Sequence, residues 1–369
     1  MVTRPLDILF IHNQQGGETF IKRIQGKRPL FICVIGTTAT AKIPSISAAG
    51  SNPNITDYTP PADMELLLLG KCKCIDGVPV TPDGIPTPAL ITMSALKMAD
   101  IPTLVACGGV AVKPQVPFLD FGGMPGGDIR TGKAVMAAQE VIQRAKIAGE
   151  HLARVTDYLV IGESIPGGTT TALGVLLAMG IGAEGKVSSS MPENPHSLKI
   201  DSVKAGLAAC GERFGSLGSD PIKAISCVGD PMMAAFAGLA MGAASRIPVM
   251  MAGGTQMTAV LAIIKALQPS ALPNLAIATT RWIASDPSSD LAGIVRQIGN
   301  VPVLAADINF GTSRFEGLKV YERGIVKEGV GAGGVSIAAM VKTEGSVNKA
   351  TLLKKIEENY EALVGSRNK

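Results

Sequence analysis

Residues 157–172, DYLVIGESIPGGTTTA, set the strongest constraint on what this chain can fold into. An apolar run ends in Gly162-Glu163, passes through Pro166-Gly167-Gly168, and opens on Thr169, Thr170 and Thr171. That order predicts a buried strand whose carboxyl end meets the amino end of a helix. In open parallel sheets, ligands bind in such crevices. The N–H groups of Gly167, Gly168, Thr169 and Thr170 then point outward with the positive end of the helix dipole behind them. That arrangement suits a phosphate or a carboxylate. Glu163 stands in the same turn, within reach of an anion docked there.

A second segment, KEGVGAGGVSIAAM from Lys327 to Met340, places Glu328 before a glycine cluster and an apolar helix pattern. A carboxylate held against glycine-rich backbone and apolar side chains is poorly solvated, so its pKa can rise toward that of a general base. Taken alone, Glu328 reads equally as a helix-start residue favoured by the dipole. Two Gly-Glu or Glu-Gly elements, each opening an apolar helix, point to one shared pocket.

Between these segments, apolar strand-like runs alternate with helical patterns, the mark of βαβ units. Strands are expected at 7–11, 30–35, 103–106, 158–161, 224–228, 248–251, 275–279 and 303–306. Helices are expected at 88–99, 133–154, 169–179, 198–213, 231–244, 255–267, 290–298 and 349–364. With 46% hydrophobic residues, 17% charged and 4% aromatic, the interior suits helices packed on a parallel sheet. The expected fold is α/β: a mostly parallel, doubly wound, Rossmann-like sheet flanked by helices, with a smaller second lobe. At 369 residues the chain exceeds what one core usually supports. We expect one catalytic unit over 1–369, its core sheet mainly at 100–345. The small lobe is expected from about residue 1 to 60 plus a terminal helix at 346–369. Leu352, Leu353, Ile356, Tyr360 and Leu363 give that helix an apolar docking stripe. Segments 39–61, 76–88 and 114–128 are rich in Pro, Ser, Asn and Gly and read as long loops, which in compact proteins are usually functional.

Several classes lose support. Net charge is +4 with no basic run, so no nucleic-acid partner is expected. The run 231–245 is too short to span a bilayer, and no targeting segment is evident, so a cytoplasmic location without membrane contact is expected. Cys33, Cys107, Cys210 and Cys227 sit in apolar contexts, ordinary core usage in a reducing compartment. Cys72 and Cys74 lack further ligands at matching spacing, and His12, His151 and His196 supply none, so no metal is expected. Gly127 to Lys133 fits a P-loop except that Ala134 stands where Ser or Thr belongs. Gly329, Gly331 and Gly334 fit G-x-G-x-x-G, but no ribose-binding acid in a further βαβ unit follows, so no dinucleotide cofactor is expected. Asp230-Pro231 reads as a helix cap followed by proline.

With these residues in view, Ile161-Gly-Glu-Ser-Ile-Pro-Gly-Gly-Thr-Thr-Thr-Ala172 resembles the G-E-x-G-I-G-N-T-T element of nicotinate-nucleotide–dimethylbenzimidazole phosphoribosyltransferases. Lys327-Glu-Gly-Val-Gly-Ala-Gly333 is similar to their G-E-G-T-G-A element. The likeness runs from about Asp157 to Met340 and is closest to a divergent prokaryotic branch. Two departures stand out: Met251-Ala-Gly-Gly254 replaces V-D-G-F, and Gly229-Asp-Pro-Met232 replaces a G-G-x-E helix start. The resemblance implies transfer of phosphoribose from nicotinate mononucleotide to a dimethylbenzimidazole- or purine-like base. The products are an α-ribazole phosphate and nicotinate, as in cobamide synthesis. It implies Glu328 as base, Glu163 at the ribose, and Gly167, Gly168, Thr169 and Thr170 at the nucleotide. Val326, Gly329 and Gly331 then line the base pocket, and a homodimer is implied. Lys199 is a candidate for phosphate or, equally, a solvated helix residue. A phosphoribosyl-pyrophosphate-dependent transferase and a non-catalytic nucleotide- or base-binding protein are the alternatives.

Overall fold

The computed structural model describes residues 5–50, 52–81, 85–191 and 193–365. Residues 82–84, inside the expected loop 76–88, lie outside them, as do the chain's first four and last four residues. The first half runs β1 (Ile8–His12), α1 (Gln14–Ile24), β2 (Pro29–Gly36), α2 (Thr59–Leu69), α3 (Ala89–Ala99), β3 (Thr103–Gly109) and β4 (Leu119–Asp120). It continues with α4 (Ala138–Leu152), β5 (Tyr158–Ser164), α5 (Gly168–Ala178), α6 (His196–Ala209), α7 (Pro221–Val228) and α8 (Pro231–Ala244). Then follow β6 (Val249–Ala252), α9 (Gln256–Leu267), β7 (Leu275–Thr280), α10 (Arg281–Ala284), α11 (Leu291–Ile298) and β8 (Val303–Ala306). The last elements are α12 (Glu316–Lys319), α13 (Ala332–Lys342) and α14 (Lys349–Gly365).

The strands form one sheet in the order β1-β8-β7-β6-β5-β2-β3-β4. All neighbours are parallel except β1, which pairs antiparallel with β8 at an edge. Strand order reverses between β5 and β2, where Val34 pairs with Glu163 and Ile35 with Ser164. This switch point is where an open α/β sheet leaves a crevice beyond its strand ends. The sheet also reaches past the expected 100–345 span, because residues below 60 supply both an edge strand and the central β2.

Both faces are covered. In β2, Leu30, Ile32 and Val34 enter one core, while Phe31, Cys33 and Ile35 enter the other. A period of two with apolar residues on both sides marks a strand covered on both faces. The first core is built with α4, α5, α8 and α9, and α8 is buried along its whole length. The second is built with α2, α3, α13 and α14, where Leu352 and Ile356 dock the terminal helix. No helix among the described residues is long and apolar enough to cross a membrane.

Three expectations are corrected. Residues 224–228 are the end of helix α7, not a strand; the helix starts at Pro221 behind the cap Asp220, whose carboxylate accepts the Lys223 N–H at 3.0 Å. Helix α4 starts at Ala138, because 133–137 form irregular chain and Ala137 takes a left-handed φ of 56°. The loop 39–61 already contains the first turn of α2, which begins at Thr59-Pro60-Pro61. Proline in a helix's first turn lacks only an N–H that would go unpaired there anyway.

Candidate active site

At the β5–β2 switch point the chain encloses a cleft of about 920 Å3, open mouth included. Segments 46–50, 163–169, 188–190 and 326–330 contribute to its walls. Glu163 is the penultimate residue of β5 and is buried. Ser164, Ile165 and Pro166 then lead to Gly167, whose φ of +79° suits glycine and turns the chain into α5. Gly167, Gly168 and Thr169 line the cleft at the amino end of that helix.

The two segments singled out in the sequence meet directly: the Glu163 carbonyl accepts the Val330 N–H at 2.8 Å. The Val330 carbonyl accepts the Thr92 hydroxyl of α3 at 2.9 Å. These bonds hold a turn in which Val326 and Val330 take φ values of 67° and 54°. Left-handed backbone is unfavourable for β-branched residues, and such strain collects at functional sites. Glycine lets the following helix approach the sheet: a Cβ on Gly333 would lie 2.0 Å from the Thr279 carbonyl carbon.

Glu328 faces the cleft from this turn. Its carboxylate accepts N–H from Gly329 at 3.1 Å and from Gly333 at 3.2 Å, and the Thr279 hydroxyl at 3.4 Å. Glu328 therefore both meets the N–H groups at the start of α13 and lines the pocket. Burial outweighs these bonds and raises its pKa to about 7. Glu163 is also raised well above its ordinary value, by burial and by the charges of Glu328, Asp230 and Asp63. Its Oε1 accepts the Gln256 amide at 3.4 Å.

A third acid, Asp63 of α2, was not singled out in the sequence. It lines the cleft fully buried, accepting the Thr87 hydroxyl at 2.7 Å and the Ser164 hydroxyl at 2.8 Å. Burial raises it to about 7 against those two bonds. Asp230 lies deeper and acts as a cap, taking the Met233 N–H at 3.0 Å and the Thr171 hydroxyl at 2.5 Å.

Not every candidate reaches the cleft. Thr170 is buried outside its lining, and Gly331 lies behind the wall against Phe31 and Gly162. Lys199 is neither solvated nor in the lining. Its ammonium braces the 188–190 turn, donating to the Ser188 carbonyl at 2.6 Å and to Asn194 Oδ1 at 2.9 Å. The lysine that lines the cleft is Lys327, paired with Asp286 at 2.9 Å. Val326 and Gly329 line it as expected. Among the described residues, no three of His, Cys, Asp or Glu come together as a metal site.

The phosphoribosyltransferase family model matches residues 105–311. A UPF0284 protein of Methanothermobacter thermautotrophicus is 45% identical over 88% of this chain and 91% of its own length. One from Sulfolobus acidocaldarius is 47% identical over 94% and 99%. Two solved structures share the fold, both from Thermus thermophilus. CobT has a TM-score of 0.61 at 17% identity, covering 91% of this chain and 89% of that one. A nicotinate-nucleotide-dimethylbenzimidazole phosphoribosyltransferase has a TM-score of 0.56 at 16% identity, covering 94% and 91%.

Proposed function

We propose that this chain, which belongs to the phosphoribosyltransferase family and to its UPF0284 branch, moves phosphoribose from nicotinate mononucleotide to a ring nitrogen of a benzimidazole- or purine-like base. The observation that carries the reading is that Glu163 and Glu328 both line the cleft, on segments joined by the Val330–Glu163 backbone bond, together with the amino end of α5. A solved neighbour of the same fold that bears the name of this reaction supports it.

In the proposed step, a lone pair on the base nitrogen attacks C1′ of the ribose. The C1′–nitrogen bond to nicotinate breaks with its electron pair, which neutralises the pyridinium ring. The N–H proton of the incoming ring passes to Glu328, a carboxylate whose pKa of about 7 suits a general base. Positive charge spreads over the ribose as the bonds exchange, and carboxylates nearby stabilise it. The cationic ring of the arriving nucleotide favours ionised neighbours, so Glu163 and Asp63 are expected to shed protons on binding. The α5 turn takes an anionic group, 5′-phosphate or nicotinate carboxylate.

Incubation with nicotinate mononucleotide and a panel of bases, read by mass spectrometry, tests the reading. Nucleotide binding without release of nicotinate would leave a binding protein instead. A second expectation concerns the turn. A Cβ on Gly168 would press on Ile165 Cγ2 at 2.8 Å and on Gln256 Nε2 at 3.3 Å. Gly168→Val is therefore expected to raise the nucleotide KM roughly tenfold, the worth of one hydrogen bond to a charged group. An unchanged KM would remove the turn from the nucleotide site.

We also propose a homodimer, the commonest soluble assembly. Ser47, Ala48 and Gly50 line the cleft of their own chain. Light scattering over a dilution series, run beside activity, is expected to show mass and activity falling together. A fully active monomer would exclude a shared pocket.

A further inference from the structure

One wall of the cleft carries a buried ion pair that the reaction proposed above leaves unused. The Lys327 side chain is 6% exposed and that of its partner Asp286 4%, so the pair is buried where it meets the cleft. Asp286 also accepts the Ser288 N–H at 2.9 Å and the Ser288 hydroxyl at 2.8 Å. Burial pushes its pKa up, but the bonds from Lys327 and Ser288 more than offset this and hold the carboxyl ionised. Behind the same wall lies Lys199, fully buried, with burial and then the charge of Lys327 bringing it down to about 7. His196, the remaining titratable group facing the cluster, is held below its ordinary value by burial and by Lys199, so it is neutral at pH 7.

Lys327 thus has one carboxylate as its counter-charge, and Lys199, with a pKa of about 7, adds part of a second positive charge behind the same wall. An anion in the cleft adds negative charge beside this wall, which favours the charged form of both lysines. The hydroxyl residues Ser188, Ser189 and Ser190 line the cleft in the turn that Lys199 braces. A side-chain bond ties down the Lys327 backbone: its carbonyl accepts the Thr280 hydroxyl at 2.6 Å. From adjacent positions, Lys327 reaches toward Asp286 while Glu328 turns back onto α13 and Thr279. The turn therefore splays a cation and a carboxylate along one cleft.

We propose that Lys327 is the anion anchor of this cleft, seating a phosphate monoester against its ammonium and the 188–190 turn while it keeps its contact with Asp286. The identity of the ligand rests on the phosphoribosyl reading, whereas the place for an anion rests on Lys327 and the 188–190 turn, which line the cleft together. A nucleotide with two anionic groups would then place its phosphate here and its ring carboxylate at the α5 turn. The proton-accepting Glu328 is the next residue after Lys327 in the same turn and lines the same cleft.

Calorimetric binding of ribose 5-phosphate, with free nicotinate as the second probe, tests this on the full chain. Lys327→Met is expected to weaken ribose 5-phosphate binding ~10-fold or more, the effect of losing a charge-assisted hydrogen bond. Because that variant strands Asp286, the double variant Lys327→Met with Asp286→Asn removes the pair together and is expected to show the same loss. Asp286→Asn alone frees Lys327 from its partner and is expected to tighten ribose 5-phosphate several-fold. Nicotinate affinity should stay within about twofold in all three, since its subsite is elsewhere. A folded double variant with wild-type ribose 5-phosphate affinity overturns the proposal. So does an Asp286→Asn variant that loses as much as Lys327→Met, because that is the behaviour of a merely structural pair. Failure of the wild type to turn over nicotinate mononucleotide bears on the reaction alone and leaves the ribose 5-phosphate comparison intact.

Discussion

Glu328→Gln is expected to slow phosphoribosyl transfer by ~10²–10⁴ while nucleotide affinity and fold stay nearly unchanged. The amide fills the same space, and its oxygen can still accept the N–H of Gly333, so the start of α13 keeps its cap. What it cannot do is take the proton of the incoming ring. Glutamine is the informative replacement for this reason, since alanine would remove cap and base together. In the wild type, Glu328 is charged only above about pH 7, so kcat/KM is expected to fall tenfold for each unit of acidification below that value. Product formation followed chromatographically across pH 5–9 checks both statements. A glutamine variant with wild-type turnover would remove Glu328 from the role of base.

The site was legible in the sequence where its instructions are local. In β5 and α5, the apolar run, the Pro-Gly-Gly turn and the threonines lie within sixteen consecutive residues and each names its own conformation. The same held for Asp230-Pro231, where cap and proline mark the start of α8. The identical signal at Asp220-Pro221 went unread, and the five apolar residues 224–228 passed for a strand. Short apolar runs do not separate helix from strand by period, and here the cap decides. Asp63 was hidden for another reason. Thr59-Pro60-Pro61 reads as loop, yet it starts a helix that buries Asp63 and Glu65 among Met64, Leu66 and Leu67. Two acids in an otherwise apolar run, with no solvated face to hold them, were the available signal. The contacts that complete the cleft had no local trace at all. Asp63 meets Ser164 across 101 residues, and the antiparallel β1–β8 pair joins opposite ends of the chain.

That same Asp63 makes the protein lose stability as the pH rises, the reverse of ordinary acid denaturation. Its pKa is about 7 in the folded chain against an ordinary 3.8, so the folded state keeps a proton that the unfolded chain gives up in between. The stabilisation is complete below about pH 4 and drains away as the pH climbs to about 7. At about 1.4 kcal/mol per unit, Asp63 alone is worth on the order of 4 kcal/mol across that window. Glu163 and Glu328 are raised in the same direction and add to the slope. Calorimetric melting is therefore expected to show Tm falling between about pH 4 and pH 7. Asp63→Asn carries no charge to desolvate, and its amide can still meet the hydroxyls of Thr87 and Ser164. It is expected to flatten the curve and to melt above the wild type at pH 8. A Tm that rises over this range, or an asparagine variant that tracks the wild type in parallel, would show that Asp63 is not where the proton is held. In the proposed reaction, Asp63 stays protonated in the free protein and takes its charge only when the cationic nucleotide ring arrives beside it.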